Sequence, residues 1–260
     1  MKKLAIASAL LSVVALTGTA AHAYQAEVGG SLGYIDPDRG SSGASYGVNG
    51  TYYFDPVQVR NSPLAEAAYL DRASNVSARI EYKDVGNSET MSYAAAGEYY
   101  VPNSDFYLSA NLGYVDLEEK LSGIKRSSDK TIFGAEVGYF FAPGLLVAAG
   151  LTGYDDDNDD GVDPTLRAKY VTTLSNGKDI NLEAGAAFGD LDEYHVAGDY
   201  YLDKTFSVGA DYYDNDIEKE FGVKARKFFN PQLSVEGRVG FGEVGTNDYN
   251  RFGLAAKYRF

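Results

Sequence analysis

The 260-residue sequence predicts an all-β fold: an antiparallel transmembrane β-barrel of about fourteen strands that follows a cleaved N-terminal signal peptide. Three observations lead there. Apolar and polar residues alternate with a two-residue period, and the alternating segments each approach the roughly 9 to 11 residues that a tilted strand needs to cross a bilayer. The polar face also carries more charge than a dry core tolerates.

The first element is the signal. Lys2 and Lys3 precede a nearly unbroken apolar run, Leu4 to Leu16, which closes on the small residues Ala21-His22-Ala23. About 13 apolar residues are too few for a membrane helix, and a charged start with a small-residue end is the order of a secretory leader, so residues 1–23 are predicted to be removed. Residues 24–260 then form the barrel. Beyond residue 23 no apolar stretch is long enough to span as a helix, so insertion must be by strands.

Alternation is cleanest where Val76, Ala78, Ile80 and Tyr82 face one way and Ser77, Arg79, Glu81 and Lys83 the other. It returns from Phe206 to Tyr213 and from Leu233 to Gly242. Strands are expected to start near Tyr24, Ser45, Asn75, Thr90, Phe106, Lys130, Leu145, Thr165, Asp179, Glu193, Phe206, Lys219, Leu233 and Tyr249. Even-numbered strands are followed by tight turns such as Pro143-Gly144 and Asn230-Pro231. Odd-numbered strands lead into longer, often acidic stretches, including residues 118–129 and 155–163. Tight turns are expected on the periplasmic rim, which an even strand count also gives both chain ends.

One connection breaks the pattern. Residues 55–73 form a longer periplasmic segment, in which Ser62 as a cap and Pro63 as first helical residue predict a short helix over Leu64 to Leu70. Folded back, Pro63, Leu64, Glu66 and Tyr69 are candidates for a constriction of the lumen; the other reading lays the helix against the outside of the rim.

A soluble barrel hides its apolar face inside. Here the polar face carries Arg79, Glu81, Glu98, Glu136, Arg167, Lys169, Glu183, Asp199, Asp211, Lys224, Arg226, Glu236, Arg238, Lys257 and Arg259, which implies a wet lumen lined by these side chains. Basic residues gather on the last strands and, across the closure, on the third, whereas acidic ones occupy the strands between. A transverse field is one reading, local pairing that stiffens the wall the other. Aromatics near strand ends, among them Tyr34, Tyr82, Tyr114, Tyr170, Tyr212 and Phe229, suit interfacial girdles. Gly29, Gly33 and Gly47 fit lumen-facing positions where space is left.

Composition excludes other classes. With no Cys the chain holds neither disulfide nor thiolate metal site, and a net charge of −14 argues against nucleic acid as partner. The run Asp155-Asp156-Asp157-Asn158-Asp159-Asp160-Gly161 matches only the first half of an EF-hand loop, because Arg167 stands where a bidentate Glu is needed. A solvated acidic loop is the expectation, with no metal. His195, near Glu193 and Asp199, lacks a nucleophile constellation and reads as a lumen residue rather than a catalytic one.

Three stretches resemble the putative general bacterial porin family: Tyr24-Gln25-Ala26-Glu27-Val28, Gly50-Thr51-Tyr52-Tyr53-Phe54, and Pro63 to Leu70 leading into Ala73-Ser74-Asn75-Val76. The resemblance implies a small monomeric Gram-negative outer-membrane porin of fourteen strands passing small hydrophilic solutes. The ending Phe252, Leu254, Ala256, Tyr258, Phe260 likewise resembles the signal read by the barrel-assembly machinery. The expectation is a cofactor-free, non-enzymatic, water-filled pore for passive diffusion of solutes and ions, a monomer exported through the periplasm and set in outer-membrane lipid and lipopolysaccharide. The competing expectation is a closed structural or adhesin-type barrel acting through its acidic outer loops.

Overall fold

The computed structural model describes residues 23–121, 124–157, 159–189 and 192–260. The expected signal peptide therefore lies, Ala23 apart, outside the described residues. From Ala23 on the chain is a closed antiparallel barrel of fourteen strands in sequential order. They are β1 (Ala23–Pro37), β2 (Gly43–Gln58), β3 (Asn75–Val85), β4 (Ser88–Tyr100), β5 (Phe106–Leu121), β6 (Ile124–Ala142) and β7 (Leu145–Asp156). The second half comprises β8 (Asp160–Thr173), β9 (Asp179–Ala187), β10 (Glu193–Asp203), β11 (Phe206–Asn215), β12 (Glu218–Phe228), β13 (Leu233–Val244) and β14 (Asn247–Arg259). Pairing of β1 with β14, from Glu27↔Arg259 to Pro37↔Tyr249, leaves no free sheet edge.

The outward face is the apolar one. Large hydrophobic side chains such as Leu112, Val137, Leu151, Val196 and Leu254 stand more than half exposed around the wall, as lipid contact requires. The final residues keep this phase, with Phe252 and Leu254 outward and Phe260 at the terminus. Tyr34, Tyr114, Tyr212 and Phe229 are exposed as a girdle needs, but Tyr82 is 4% exposed, packed among Tyr46, Val48 and Met91.

Two expected loops are strand instead. β5 and β6 pair out to Leu121↔Ile124, so residues 118–121 and 124–129 are paired strand. β8 begins at Asp160 rather than Thr165 and reduces the acidic stretch to a short turn. In that turn carboxylates serve the backbone: Asp156 Oδ1 accepts from the Asp159 N–H at 3.1 Å and Asp159 Oδ1 from the Asp160 N–H at 3.0 Å. Asn158 of the run lies outside the described residues. The longer loops expected after odd-numbered strands are absent elsewhere too, since β3–β4, β11–β12 and β13–β14 are each joined by two residues. Gly86 takes φ +61° in the two-residue turn between Val85 and Ser88, and Gly144 takes φ +74° where a Cβ would lie 2.2 Å from the Val171 carbonyl.

The long connection is 59–74, because β2 runs through Gln58 and absorbs the first residues of the expected 55–73 segment. It holds a single turn of 3-10 helix, Leu64–Glu66, followed by α1 (Ala67–Leu70). Pro63, not Ser62, precedes the first turn, and no side chain caps it. The segment is not laid outside the rim. Leu64, Glu66, Ala67 and Tyr69 are all buried, and they meet inward-facing residues of several strands.

Candidate functional site

Register fixes which side chains face the bore. Cross-strand partners share a face, so the row Arg259, Glu27, Thr51, Ser77, Ala96 runs along one side of β14, β1, β2, β3 and β4. Extending this parity round the wall puts Arg79, Glu81, Glu98, Glu136, Glu183, Asp199, Asp211, Lys224, Arg226, Arg238, Lys257 and Arg259 on the inward face.

These charges pair locally. Arg167 meets Glu136 at 2.7 Å, Lys224 meets Asp199 at 3.1 Å and Arg226 meets Glu236 at 2.6 Å. Arg238 binds both Asp211 and Glu220, and Arg251 binds Glu218 at 3.2 Å and Glu220 at 3.0 Å. Arg79 pairs with Glu81 two residues along its own strand. Glu98 accepts hydrogen bonds from the Tyr107 hydroxyl at 2.6 Å and the Asn75 amide at 2.8 Å. A division into basic and acidic walls thus gives way to interleaved pairs, because each counter-charge sits at a matching register on the same or a nearby strand.

The pairs differ in their access to water. Asp199, Glu220 and Arg259 are at most 7% exposed, whereas the Arg79 side chain is 62% and that of Lys257 49% exposed. Lys257 apart, the inward charges of β8 to β14 form a ladder of close ion pairs. Facing it, β2 to β5 present small polar side chains such as Asn49, Thr51, Ser77 and Asn111.

At the rim where β1 begins and β14 ends the inward face turns apolar. Tyr100, Tyr107, Phe140, Leu146 and Val171 close around Tyr69, and Tyr24, Tyr53, Val57 and Ala73 around Ala67. Polar anchors fix the segment between them. Glu66 accepts from the Tyr201 hydroxyl at 2.6 Å and pairs with Lys169 at 2.9 Å, Lys169 also holding Glu183 at 2.8 Å. The Tyr69 hydroxyl reaches the carbonyls of Gly144 (3.0 Å) and Lys169 (3.1 Å). Arg259 Nη1 donates to the Leu64 carbonyl at 2.8 Å, and Pro63 is fully buried. Next to this segment lies a cavity of about 570 Å³ bordered by Glu66, Tyr69, Glu98, Glu136, Arg167 and Glu183.

These receptors were hidden in sequence because they sit on the charged parity. A signal existed: apolar residues at the last inward positions of many strands, where lipid cannot explain them. His195 lies over Gly185, where a Cβ would meet its ring at 2.2 Å. Its expected neighbours are engaged elsewhere, Glu193 with the Tyr213 hydroxyl and Asp199 with Lys224.

Residues 1–162 match the model of the family described as Putative general bacterial porin. The structure is similar to the crystal structure of the Acinetobacter baumannii outer membrane protein Omp33, with a TM-score of 0.71 and 29% identity over 92% of this chain and 99% of that one. Two barrels share the fold alone. The Ralstonia pickettii toluene transporter TbuX gives TM-score 0.58 and 8% identity over 93% of this chain and 90% of its own. The TodX deltaS2S3 mutant monoaromatic hydrocarbon channel gives 0.56 and 9% over 92% and 91%. No curated protein matches the sequence.

Proposed function

Because the chain belongs to the putative general bacterial porin family, a non-enzymatic class of the bacterial outer membrane, we propose that its barrel is a water-filled channel. Small hydrophilic solutes and ions would cross it passively, driven by their gradients alone. One observation carries the reading: inward charges, Arg79 foremost, stand open to solvent while the outward face is apolar. Such side chains are stable inside a bore only if water fills it.

In this reading the inward charges line the pore, and Pro63, Leu64, Glu66 and Tyr69 constrict it at the rim of the termini, which faces the periplasm. Residues 1–23 act as export signal, Phe260 engages the assembly machinery, and the barrel works as a monomer. On the far rim, acidic turns such as Asp155 to Asp160 meet lipopolysaccharide.

The anchoring of the plug favours a second reading, a closed structural or adhesin-type barrel. Purified protein in a planar lipid bilayer separates the two. Discrete ohmic current steps support the channel; silence across repeated preparations supports the closed barrel.

A further inference from the structure

Among the inward ion pairs, the two most exposed cations share one cross-strand row. Register places Lys257 opposite Gly29, Gly29 opposite Asn49, Asn49 opposite Arg79 and Arg79 opposite Ala94. The cations thus stand three strands apart, about 14 Å between Cα atoms. Gly29 contributes no side chain between them, and a Cβ there would lie 2.6 Å from Asn49 Oδ1, so the Asn49 amide occupies the space the glycine leaves. Lys257, Asn49 and Arg79 border one cavity of about 490 Å³, whose other inward residues include Ser31, Thr51 and Ser77.

Both cations keep binding capacity. Arg79 gives only Nη2 to Glu81, leaving most of its five N–H donors for another partner. Lys257 stands 3.7 Å from Glu27, the longest of the inward pairs, and Glu27 is already held by Arg259 at 3.4 Å and by the Tyr53 hydroxyl at 2.8 Å. Of the nearby carboxylates, Glu27 is buried at 5% exposure, and Glu81, at 31%, is half as exposed as the Arg79 it pairs with. A solute in this sector meets positive charge first.

We propose that Arg79, Asn49 and Lys257 form a subsite for small organic anions with carboxylates at both ends, and that this subsite sets an anion preference for the channel. The guanidinium fork suits one carboxylate, the ammonium the other, and the Asn49 amide offers a donor between them. This deepens the channel reading above and rests on it.

The test is single-channel recording in planar bilayers under a KCl gradient, with succinate as probe. Wild type should pass chloride in preference to potassium, and succinate should reduce the chloride current. In Arg79→Gln/Glu81→Gln, which leaves the net charge of the lining unchanged, the preference should fall to about unity and half-blocking succinate should rise about tenfold, the loss expected for a charge-assisted contact. Lys257→Gln should weaken block independently. Normal current with unaltered selectivity and block in both variants overturns the subsite alone, as does cation preference in the wild type. Absence of any current overturns the channel reading with it.

Discussion

Glu66 Oε2 lies 2.9 Å from Lys169 Nζ, which ties the β2–β3 connection to the far wall of the barrel. Both side chains are largely withdrawn from water, at 5% and 17% exposure, and Tyr201 completes the coordination of the carboxylate. Breaking a buried pair by removing one partner costs about 3–5 kcal/mol, because the remaining charge is stranded. Here Glu183 still holds Lys169, so the loss falls mainly on the β2–β3 connection.

Glu66→Ala is therefore expected to release the segment and raise single-channel conductance while the barrel stays folded. Conductance equal to wild type would show that the Glu66 anchor does not hold the constriction.

The Tyr69 hydroxyl gives a pH dependence. Burial pushes its pKa up to about 12, and the protonated form is the one that donates to the Gly144 and Lys169 carbonyls. A folded-state value above the unfolded one means the docked plug is favoured fully below pH 10 and loses this contribution between pH 10 and about 12. Conductance should rise over that window in wild type. Tyr69→Phe should show the higher conductance already at neutral pH and respond less to alkali; identical titrations of the two would remove Tyr69 from the account.

Inward and outward neighbours should respond oppositely to the same charge. Leu112 is 58% exposed on the lipid side, and an Arg near the middle of the bilayer costs about 2–4 kcal/mol. Leu112→Arg should lower folding stability in lipid by that order, whereas Asn111→Arg, one residue away on the wet face, should change it little. Urea titrations of refolding into vesicles measure both.

The wall was legible because lipid and water impose opposite demands on successive residues, as Val76 to Lys83 display in full. That signal fades outside the membrane. Across Glu118 to Lys120 and Lys125 to Asp129 no apolar stripe remains, and the β5–β6 pairing escapes a reading by periodicity. Asp160 to Asp163 escapes it too, because the acidic run reads as a solvated loop although Asp163 is buried. Ion-pair partners were equally out of reach: Arg238 finds Asp211 across two strands, a match set by the turn lengths between them and not by local sequence. The β2–β3 connection was half legible. Ser62-Pro63 marked where a helical turn belongs, but its buried anchors, Tyr201 and Lys169, lie more than a hundred residues further along the chain.

The central claim, that water fills the barrel and lipid surrounds it, is tested most directly by single cysteines, since the chain has none of its own. Ser77 shares the inward row of Thr51 and Ala96, and Ala78 is its outward neighbour. In protein reconstituted into lipid, Ser77→Cys should react with a membrane-impermeant maleimide and Ala78→Cys should not. Labelling of the Ala78 variant with protection of the Ser77 variant would contradict the account.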